Sequence, residues 1–299
     1  MKQTNDAANI GAGSSTLQQK LAGGAFVGAP GVFDLISARI ADRMGFDALY
    51  MTGYGTVASY LGLPDAGLAT YTDMLDRVAR IVQMTATPLI ADGDTGYGGL
   101  LNVRHTVRGY EAAGATAIQL EDQQFPKKCG HTPGRRVIPM KDAVRKIEVA
   151  VESRRSDDFL IIARTDARTS LGIDEAIARA KAFEAAGADL IFVESPESEV
   201  ELQKVGDAIG KPLVVNMVEG GSTPILSRER LKELGFSLAI FPTMGFLAAG
   251  AALQSAYAHL QQTGSSKDTS VPLYPFDEFS RLMGFPEIWS FEAQHAEVG

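Results

Sequence analysis

Three observations predict an α/β fold of the (β/α)8 TIM barrel class: a recurring helix-glycine-strand unit, eight apolar strand candidates, and a suitable chain length. The chain has 299 residues, and barrels of about 250 residues commonly form one domain. The unit is clearest in YEAAGATAIQLED (110–122) and FEAAGADLIFVES (183–195). In both, a glycine suited to the left-handed cap ends a helix, and an apolar run typical of a fully buried strand follows.

The eight strand candidates follow one another along the chain. They are FVGA, ALYMTG, PLIADGD, AIQLED, LIIARTD, LIFVES, LVVNMV and LAIFPT. Each is followed by a helix candidate, of which DEAIARAKAFEAAG is one, and this alternation predicts parallel strands closed into a barrel. An open doubly wound sheet is the alternative, but no GxGxxG sequence follows the first strand.

A helical extension is predicted after the barrel. We interpret the chain as a single barrel domain over 1–299, with the barrel at about 20–262 and a C-terminal helical tail at about 270–299. The tail, LYPFDEFSRLMGFPEIWSFEAQ, has aromatic residues at helical spacing. Such a helix either packs on its own barrel or is exchanged with a neighbouring subunit.

Charge and composition exclude several classes of partner. With 36 acidic and 28 basic residues the net charge is -8, so no basic field would attract nucleic acid or an anionic membrane surface. The longest apolar run, LAIFPTMGFLAAGAAL, is interrupted by Pro242 and glycines, so we expect no membrane span. The first residues, MKQTNDAANIGAGSSTLQQK, have no apolar core of the signal-peptide type, so we expect no secretion. A single cysteine cannot form an intramolecular disulfide, which favours the cytoplasm.

Polar residues stand where the predicted strands end, which is the edge where barrel enzymes carry their chemistry. They are Tyr50, Thr52, Gly53, Tyr54, Asp92, Asp94, Glu121, Asp122, Arg164, Asp166, Glu194, Asn216 and Glu219. Adjacent carboxylates would repel one another unless they shared a cation. The pair in DGDTGYGG is suited to Mg²⁺, although an aspartate alone can equally cap a helix or form a salt bridge.

A series of short motifs spans nearly the whole predicted barrel. In order they are GAPGVFD, TGYG, GLPD, ADGDTGYG, QLEDQ, KKCGH, IIARTDA, VES, NMVEGG and FPTM. With these motifs the chain resembles the lyase branch of the isocitrate lyase and phosphoenolpyruvate mutase superfamily. The resemblance implies Mg²⁺-dependent cleavage of a 2-hydroxy diacid between carbons 2 and 3, with Mn²⁺ as a substitute metal. It also implies a homotetramer that exchanges C-terminal helices.

The loop that contains KKCGH supplies the candidate general acid. Cleavage leaves an enolate that must be protonated on carbon, and a thiol is a suitable acid for that step. Cys129 has Lys127, Lys128 and His131 nearby in sequence, and positive charge stabilises a thiolate. We therefore count Cys129, Lys127 and His131 as catalytic, with closure of the glycine-flanked loop excluding water. The alternative for Cys129 is a small buried core residue.

The other roles follow from charge and from the resemblance. Asp92 is the expected direct metal ligand, with Asp65, Asp94 and Glu121 acting through waters. Arg164 is expected to bind a substrate carboxylate, and Tyr50 is the candidate base, although a barrel tyrosine is more often structural. The expected carboxylate sites are Thr52, Gly53 and Tyr54 for the oxo acid and, by resemblance, Gly130, His131, Glu194 and Asn216 for the second carboxylate.

Substrate choice depends on Val218 in NMVEGG. Relatives that act on tricarboxylates tend to carry a hydroxyl residue there, and an apolar side chain leaves a third carboxylate unpaired at a cost on the order of a few kcal/mol. The small dicarboxylate 2,3-dimethylmalate, cleaved to pyruvate and propionate, is therefore favoured over 2-methylisocitrate, with oxaloacetate hydrolysis as a neighbouring activity. A phosphonopyruvate mutase or hydrolase would not need a carbon acid, and a non-catalytic barrel would be expected to lose some polar strand ends.

Overall fold

Eight parallel strands form a closed barrel. The computed structural model describes residues 16–130, 132 and 134–296. Each strand pairs with its sequence neighbours, and the first strand pairs with the last through Val27 and Leu238. The predicted (β/α)8 barrel is confirmed.

The strands are β1 (Val27–Val32), β2 (Leu49–Met51), β3 (Leu89–Asp92), β4 (Ala117–Glu121), β5 (Leu160–Thr165), β6 (Leu190–Val193), β7 (Leu213–Asn216) and β8 (Phe236–Phe241). The helices are α1 (Leu17–Ala22), α2 (Leu35–Asp42), α3 (Gly53–Leu61), α4 (Tyr71–Met84), α5 (Leu100–Ala112), α6 (Met140–Ser153), α7 (Ala167–Leu171), α8 (Ile173–Ala185), α9 (Glu199–Ala208), α10 (Arg228–Glu233), α11 (Met244–Thr263), α12 (Phe276–Leu282) and α13 (Phe285–His295).

The repeated unit seen in the sequence ends two of these helices. Gly114 follows α5 with a φ of 91°, and Gly187 follows α8 with a φ of 94°. These are left-handed backbone conformations that glycine adopts without steric cost. Each glycine therefore turns the chain directly into the next strand, β4 or β6.

Alternation along the strands divides the buried apolar residues into two layers. In β5, Leu160 and Ile162 belong to an inner cluster, whereas Ile161 and Ala163 belong to an outer cluster that includes residues of the surrounding helices. Because successive strand side chains point to opposite faces, the inner cluster fills the barrel. The next inward position of β5 after Ile162 is Arg164, at the carboxyl end of the strand.

A second compact unit begins at Phe246, while residues up to Gly245 form the first. The sequence-based boundary near 262 therefore falls inside the second unit, within α11. The predicted helical tail is confirmed by α12 and α13, whereas its exchange between subunits stays a prediction, as does the single-domain assignment. In the part of the chain that is described, no helix combines the length and apolar character needed to cross a membrane.

Candidate active site

The barrel places one polar side chain above the inner layer on each of five consecutive strands. Asp92, Glu121, Arg164, Glu194 and Asn216 occupy these positions on or just after β3 to β7. All five are buried, with at most 6% of each residue exposed. Every second residue of a strand faces the inside of the barrel. Lower inward-facing positions carry the apolar side chains that fill the barrel, and the last one on each of these strands carries a polar side chain at the carboxyl end.

The polar side chains line one pocket of about 440 Å³, a volume that includes its open mouth. Of the predicted site residues, the pocket brings together Tyr50, Thr52, Gly53, Tyr54, Asp65, Asp92, Glu121, Lys127, Cys129, Gly130, Arg164, Glu194 and Asn216. Asp94 does not line it but contacts Lys127, which does. His131 lies outside the described residues, and its predicted role stays a prediction.

Lys127 holds two of the predicted metal carboxylates. Its Nζ lies 2.6 Å from Asp65 Oδ1 and 2.5 Å from Asp94 Oδ1, and its side chain is only 3% exposed. Burial alone would lower the pKa of Lys127, but Asp94 and Asp65 raise it well above its usual value. The lysine expected to acidify Cys129 therefore carries a charge that these two carboxylates neutralise.

Burial controls the protonation of the neighbouring acids. Burial raises the pKa of Asp94 to about 7, with Asp92 and Asp65 adding to the shift and Lys127 opposing it. Burial likewise raises the pKa of Glu121 well above its usual value, against the effect of Arg164. Carboxyl groups crowded in this way become ionised most readily when a further cation joins them.

The residues present fit a hard cation with few direct protein ligands. Asp92 is buried, and its Oδ1 accepts a hydrogen bond from the Asp94 amide at 3.0 Å. A Cβ on Gly53 would collide with Asp92 Oδ2, so glycine leaves this carboxylate its space. Glu121 Oε1 is buried with no hydrogen-bond partner among the described residues. Within the described ranges no three His, Cys, Asp or Glu residues form a ready metal cage, and Mg²⁺ commonly uses only one or two carboxylates together with waters.

Arg164 is fixed by carboxylates on three sides. Asp166 accepts hydrogen bonds from its Nε and Nη2, both at 2.9 Å, while Glu194 Oε2 lies 3.1 Å from Nη2 and Glu121 Oε2 lies 3.5 Å from Nε. The guanidinium carbon also lies 5.2 Å from the ring centroid of Phe192. The bidentate pairing fixes the plane of the guanidinium, as binding of a substrate carboxylate requires.

Glu194 and Asn216 meet beside the loop glycine Gly130. Asn216 Nδ2 donates to Glu194 Oε2 at 3.1 Å, and the Ser195 hydroxyl donates to the Gly130 carbonyl at 3.2 Å. A Cβ on Gly130 would collide with Nη2 of Arg164 and come within 2.9 Å of Glu194 Oε2. Only a glycine at residue 130 therefore allows the loop backbone to lie directly on the side chains of Arg164 and Glu194.

Cys129 lies at the pocket, and its backbone is hydrogen-bonded to Asp65, one of the predicted metal-binding residues. Its amide donates to the Asp65 carbonyl at 3.1 Å, and its own carbonyl accepts from the Thr132 amide and hydroxyl at 3.0 and 2.8 Å. The residue is partly buried and lines the pocket. This placement is compatible with a thiol that reaches a bound substrate.

The opposite wall of the pocket contains Tyr50 and the start of α3. Thr52 is the residue before α3 and is 2% exposed, and it lines the pocket with Gly53 and Tyr54, so the N-terminus of this helix lies at the pocket wall. Helix N-termini favour carboxylates. Burial, followed by Asp92, raises the pKa of Tyr50 well above 10. Tyr50 is thus a hydrogen-bond donor at neutral pH, and its predicted role as a base stays a prediction.

Several side chains that organise the site were not assigned a role from the sequence. Asp166, Arg135 and Ser195 are among them, because the contacts of Arg135 with Asp166 and of Ser195 with Gly130 join residues that are distant in sequence. Arg179 carried a usable signal, since it lies on the same face of α8 as the buried residues Ala176, Ala180 and Phe183. A charge on an apolar helix face indicates a buried partner, which here is Asp122 Oδ2, 3.0 Å from Arg179 Nη1.

The amino-acid sequence is similar to that of a known family and of several known enzymes. The phosphoenolpyruvate phosphomutase family matches residues 17–261. The 2,3-dimethylmalate lyase of Eubacterium barkeri is 46% identical over 268 residues, covering 90% of this chain and 93% of that protein. The 2-methylisocitrate lyase of Aeropyrum pernix is 41% identical, covering 90% of this chain and 86% of that protein.

Solved structures of two related enzymes are also similar to the chain. A 2,3-dimethylmalate lyase, described as a PEP mutase/isocitrate lyase superfamily member, superposes with a TM-score of 0.88 at 38% identity, covering 95% of this chain and 96% of that chain. An oxaloacetate acetylhydrolase with the inhibitor 3,3-difluorooxalacetate superposes with a TM-score of 0.85 at 36% identity, covering 91% and 92% of the two chains.

Proposed function

The chain belongs to the phosphoenolpyruvate mutase and isocitrate lyase superfamily, and on that premise we propose that it is a lyase for 2-alkylmalates. The reaction cleaves the bond between carbons 2 and 3 of a 2-hydroxy diacid to give a 2-oxo acid and a carboxylate. The substrate that the site supports best is 2,3-dimethylmalate, which yields pyruvate and propionate.

The main support for 2-alkylmalates as the substrate class is that one side of the otherwise charged pocket is apolar. Val218, Ile240 and Pro242 line the pocket together, and Val218 is only 6% exposed. Methyl groups of an alkylmalate gain from contact with such a surface. A third carboxylate placed there would lose its hydration without gaining a donor, which disfavours tricarboxylates.

The charged part of the pocket is suited to the two carboxylates. Arg164 offers a guanidinium held in one orientation by Asp166. The first amides of α3 offer donors beside Thr52 for the carboxylate of the oxo acid. Glu194 and Asn216, hydrogen-bonded to each other, would orient the second carboxylate through Arg164 and the backbone of Gly130.

The carboxylates of the site would hold the metal. Asp92 directly, and Asp65, Asp94 and Glu121 through waters, would bind Mg²⁺ or Mn²⁺, which when bound acidifies the 2-hydroxyl and neutralises the oxo acid. Burial of these residues keeps bulk water from competing for the charges.

Protonation of carbon is the step assigned to Cys129. As the 2-hydroxyl loses its proton, the electron pair of the bond between carbons 2 and 3 stays on carbon 3 as an enolate. The Cys129 thiol then gives its proton to that carbon, which becomes carbon 2 of propionate, and a thiolate remains. Tyr50 is the candidate to receive the hydroxyl proton, and His131 completes the predicted catalytic group.

A panel of 2-hydroxy diacids with Mg²⁺ tests this function. Release of pyruvate from 2,3-dimethylmalate and 2-methylisocitrate is followed by coupling to lactate dehydrogenase. Oxaloacetate, whose hydrolysis gives oxalate and acetate, is assayed in parallel by the loss of its own ultraviolet absorbance. We expect the largest kcat/KM for 2,3-dimethylmalate. Greater activity on oxaloacetate would support the second candidate, an oxaloacetate hydrolase, which the likeness to oxaloacetate acetylhydrolase favours. Phosphate release from phosphonopyruvate would reject carbon-carbon cleavage as the main activity.

The assembly and the compartment are part of the same proposal. Exposed aromatic side chains of the second unit, including Phe276 at 87% and Phe291 at 63%, support burial of α12 and α13 against other copies in a homotetramer that exchanges these helices. A thiol acid must stay reduced, which supports a cytoplasmic location.

A further inference from the structure

The loop of residues 127–136 is fastened to the barrel at both ends. At its start, Lys127 binds Asp65 and Asp94. Near its end, the side chain of Arg135 is only 4% exposed. Its Nη1 donates a hydrogen bond to Asp166 Oδ1 at 2.8 Å, and its Nη2 donates one to Thr169 Oγ1 at 2.6 Å. Both ends of the cysteine loop therefore depend on buried polar contacts.

Asp166 is shared between the loop and the substrate-binding arginine. The same oxygen, Oδ1, accepts hydrogen bonds from Arg135 Nη1 at 2.8 Å and from Arg164 Nη2 at 2.9 Å. Asp166 is fully buried, and its backbone amide donates to Asp122 Oδ1 at 2.8 Å, so the carboxylate has little freedom to move. If Arg135 moved away, Asp166 would pair with one arginine instead of two, and its hydrogen bonds to Arg164 would change in strength and geometry.

The middle of the loop lies against the same arginine. Gly130 packs directly on Arg164 and Glu194, and its carbonyl accepts from the Ser195 hydroxyl. In the observed position, the guanidinium of Arg164 and the loop backbone at Gly130 are therefore in direct contact. The loop thus meets Arg164 twice, by direct packing and through Asp166.

We propose that Arg135 and Asp166 are positioning residues that couple the placement of the Cys129 loop to the orientation of Arg164. Through this pair, a substrate carboxylate bound by Arg164 favours the loop position that brings Cys129 to the pocket. The coupling rests on the proposed lyase function for its catalytic consequence, but not for its physical basis, because the contacts join residues of the chain itself.

A matched pair of loop variants tests the role of Arg135. Arg135→Met removes the buried contacts, whereas Arg136→Met removes the same charge from the adjacent exposed position. We expect Arg135→Met to lower kcat on the best substrate of the panel by about 10- to 100-fold and to weaken the Kd of oxalate with Mg²⁺ by only about fivefold, the size of the lost coupling. Arg136→Met should resemble the wild type, and Arg135→Lys should restore part of the rate. Loss of oxalate binding in parallel with kcat would mean a merely structural role and would overturn the proposal.

Alkylation of Cys129 gives a readout that needs no turnover. Cys129 is the only cysteine, so iodoacetamide reports on the loop alone. Oxalate with Mg²⁺ should protect it in the wild type and in Arg136→Met, with at least about fivefold less protection in Arg135→Met. If the wild type cleaves none of the diacids, the proposed function fails while this measurement still decides the coupling. Equal protection of Cys129 from alkylation in the wild type, Arg136→Met and Arg135→Met would overturn the proposed coupling.

A double-mutant cycle completes the test. Asp166→Asn keeps the shape of the side chain and removes its charge, so it should also weaken protection. If the two residues act as one unit, the effects of Arg135→Met and Asp166→Asn will not add in the double variant. Additive effects would show that the residues act independently and would overturn the coupling.

Discussion

The ammonium of Lys127 lies 2.5 Å from Asp94 Oδ1, and the two side chains are only 3% and 6% exposed. One residue comes from the loop that contains Cys129 and the other from the strand end predicted to bind metal. The position of the loop and the charge of the predicted metal site are therefore physically linked. The ion pair is also a buried one, so removing a partner leaves an uncompensated charge.

Lys127→Met should destabilise the protein by about 3–5 kcal/mol, because Asp65 and Asp94 would lose their shared cation inside the fold. Chemical denaturation in the presence of EDTA measures this loss. The double variant Lys127→Met with Asp94→Asn should recover part of the stability, since one of the stranded charges is removed. No recovery would mean that Lys127 stabilises the fold by packing alone.

Asp92→Ala should abolish Mg²⁺-dependent turnover while leaving the barrel folded, since Asp92 stands above the inner apolar layer and not within it. Circular dichroism and a Mg²⁺ titration by calorimetry separate the two effects. Wild-type turnover that persists in EDTA would contradict the assignment of Asp92 as a metal ligand.

Mg²⁺ affinity should depend on pH through Asp94, whose pKa burial raises to about 7. Below that pH a proton competes with the metal, so the apparent Kd should increase by up to about tenfold for each unit of pH. The metal-free protein should respond in the opposite sense. Its folded state binds this proton more tightly than the unfolded chain, so this group's contribution to stability falls as pH rises from about 4 to about 7. Calorimetric titrations of the wild type and Asp94→Asn at pH 6 and 8 check the first effect. The variant should show a weaker dependence, with the remainder due to Glu121, whose pKa burial also raises.

Cys129→Ser should lower kcat by about 10²- to 10⁴-fold with little change in KM, because a hydroxyl is a far weaker acid than a thiol of similar size. In D₂O the wild type should place deuterium on one face of carbon 2 of the carboxylate product. A racemic label, or near-wild-type turnover by the serine variant, would assign the proton to water instead.

Val218→Thr should raise kcat/KM for 2-methylisocitrate relative to 2,3-dimethylmalate by about tenfold, since the new hydroxyl can donate to a third carboxylate. The variant is nearly isosteric, so the fold should be retained. Parallel assays of both substrates measure the ratio, and an unchanged ratio would exclude this position from substrate selection.

Much of the barrel was predictable because it depends on local patterns. The glycine-ended helices and the apolar strands locate all the units, and Asp92, Arg164 and Glu194 stand at strand ends that a two-residue period identifies. The roles of Arg135 and Lys127 were not predictable in the same way. Arg135 pairs with Asp166, 31 residues away, and Lys127 pairs with Asp65, 62 residues away. Only the closed barrel brings these pairs together.

The arrangement of one pocket residue per strand has a consequence for protein engineering. Side chains such as Glu121, Arg164 and Glu194 are supplied by separate strands, while the apolar residues beneath them fill the barrel independently. A combinatorial library that varies only the rim positions Val218 and Pro242 can therefore sample new substrates against a constant scaffold. Its members would differ in selectivity far more than in melting temperature.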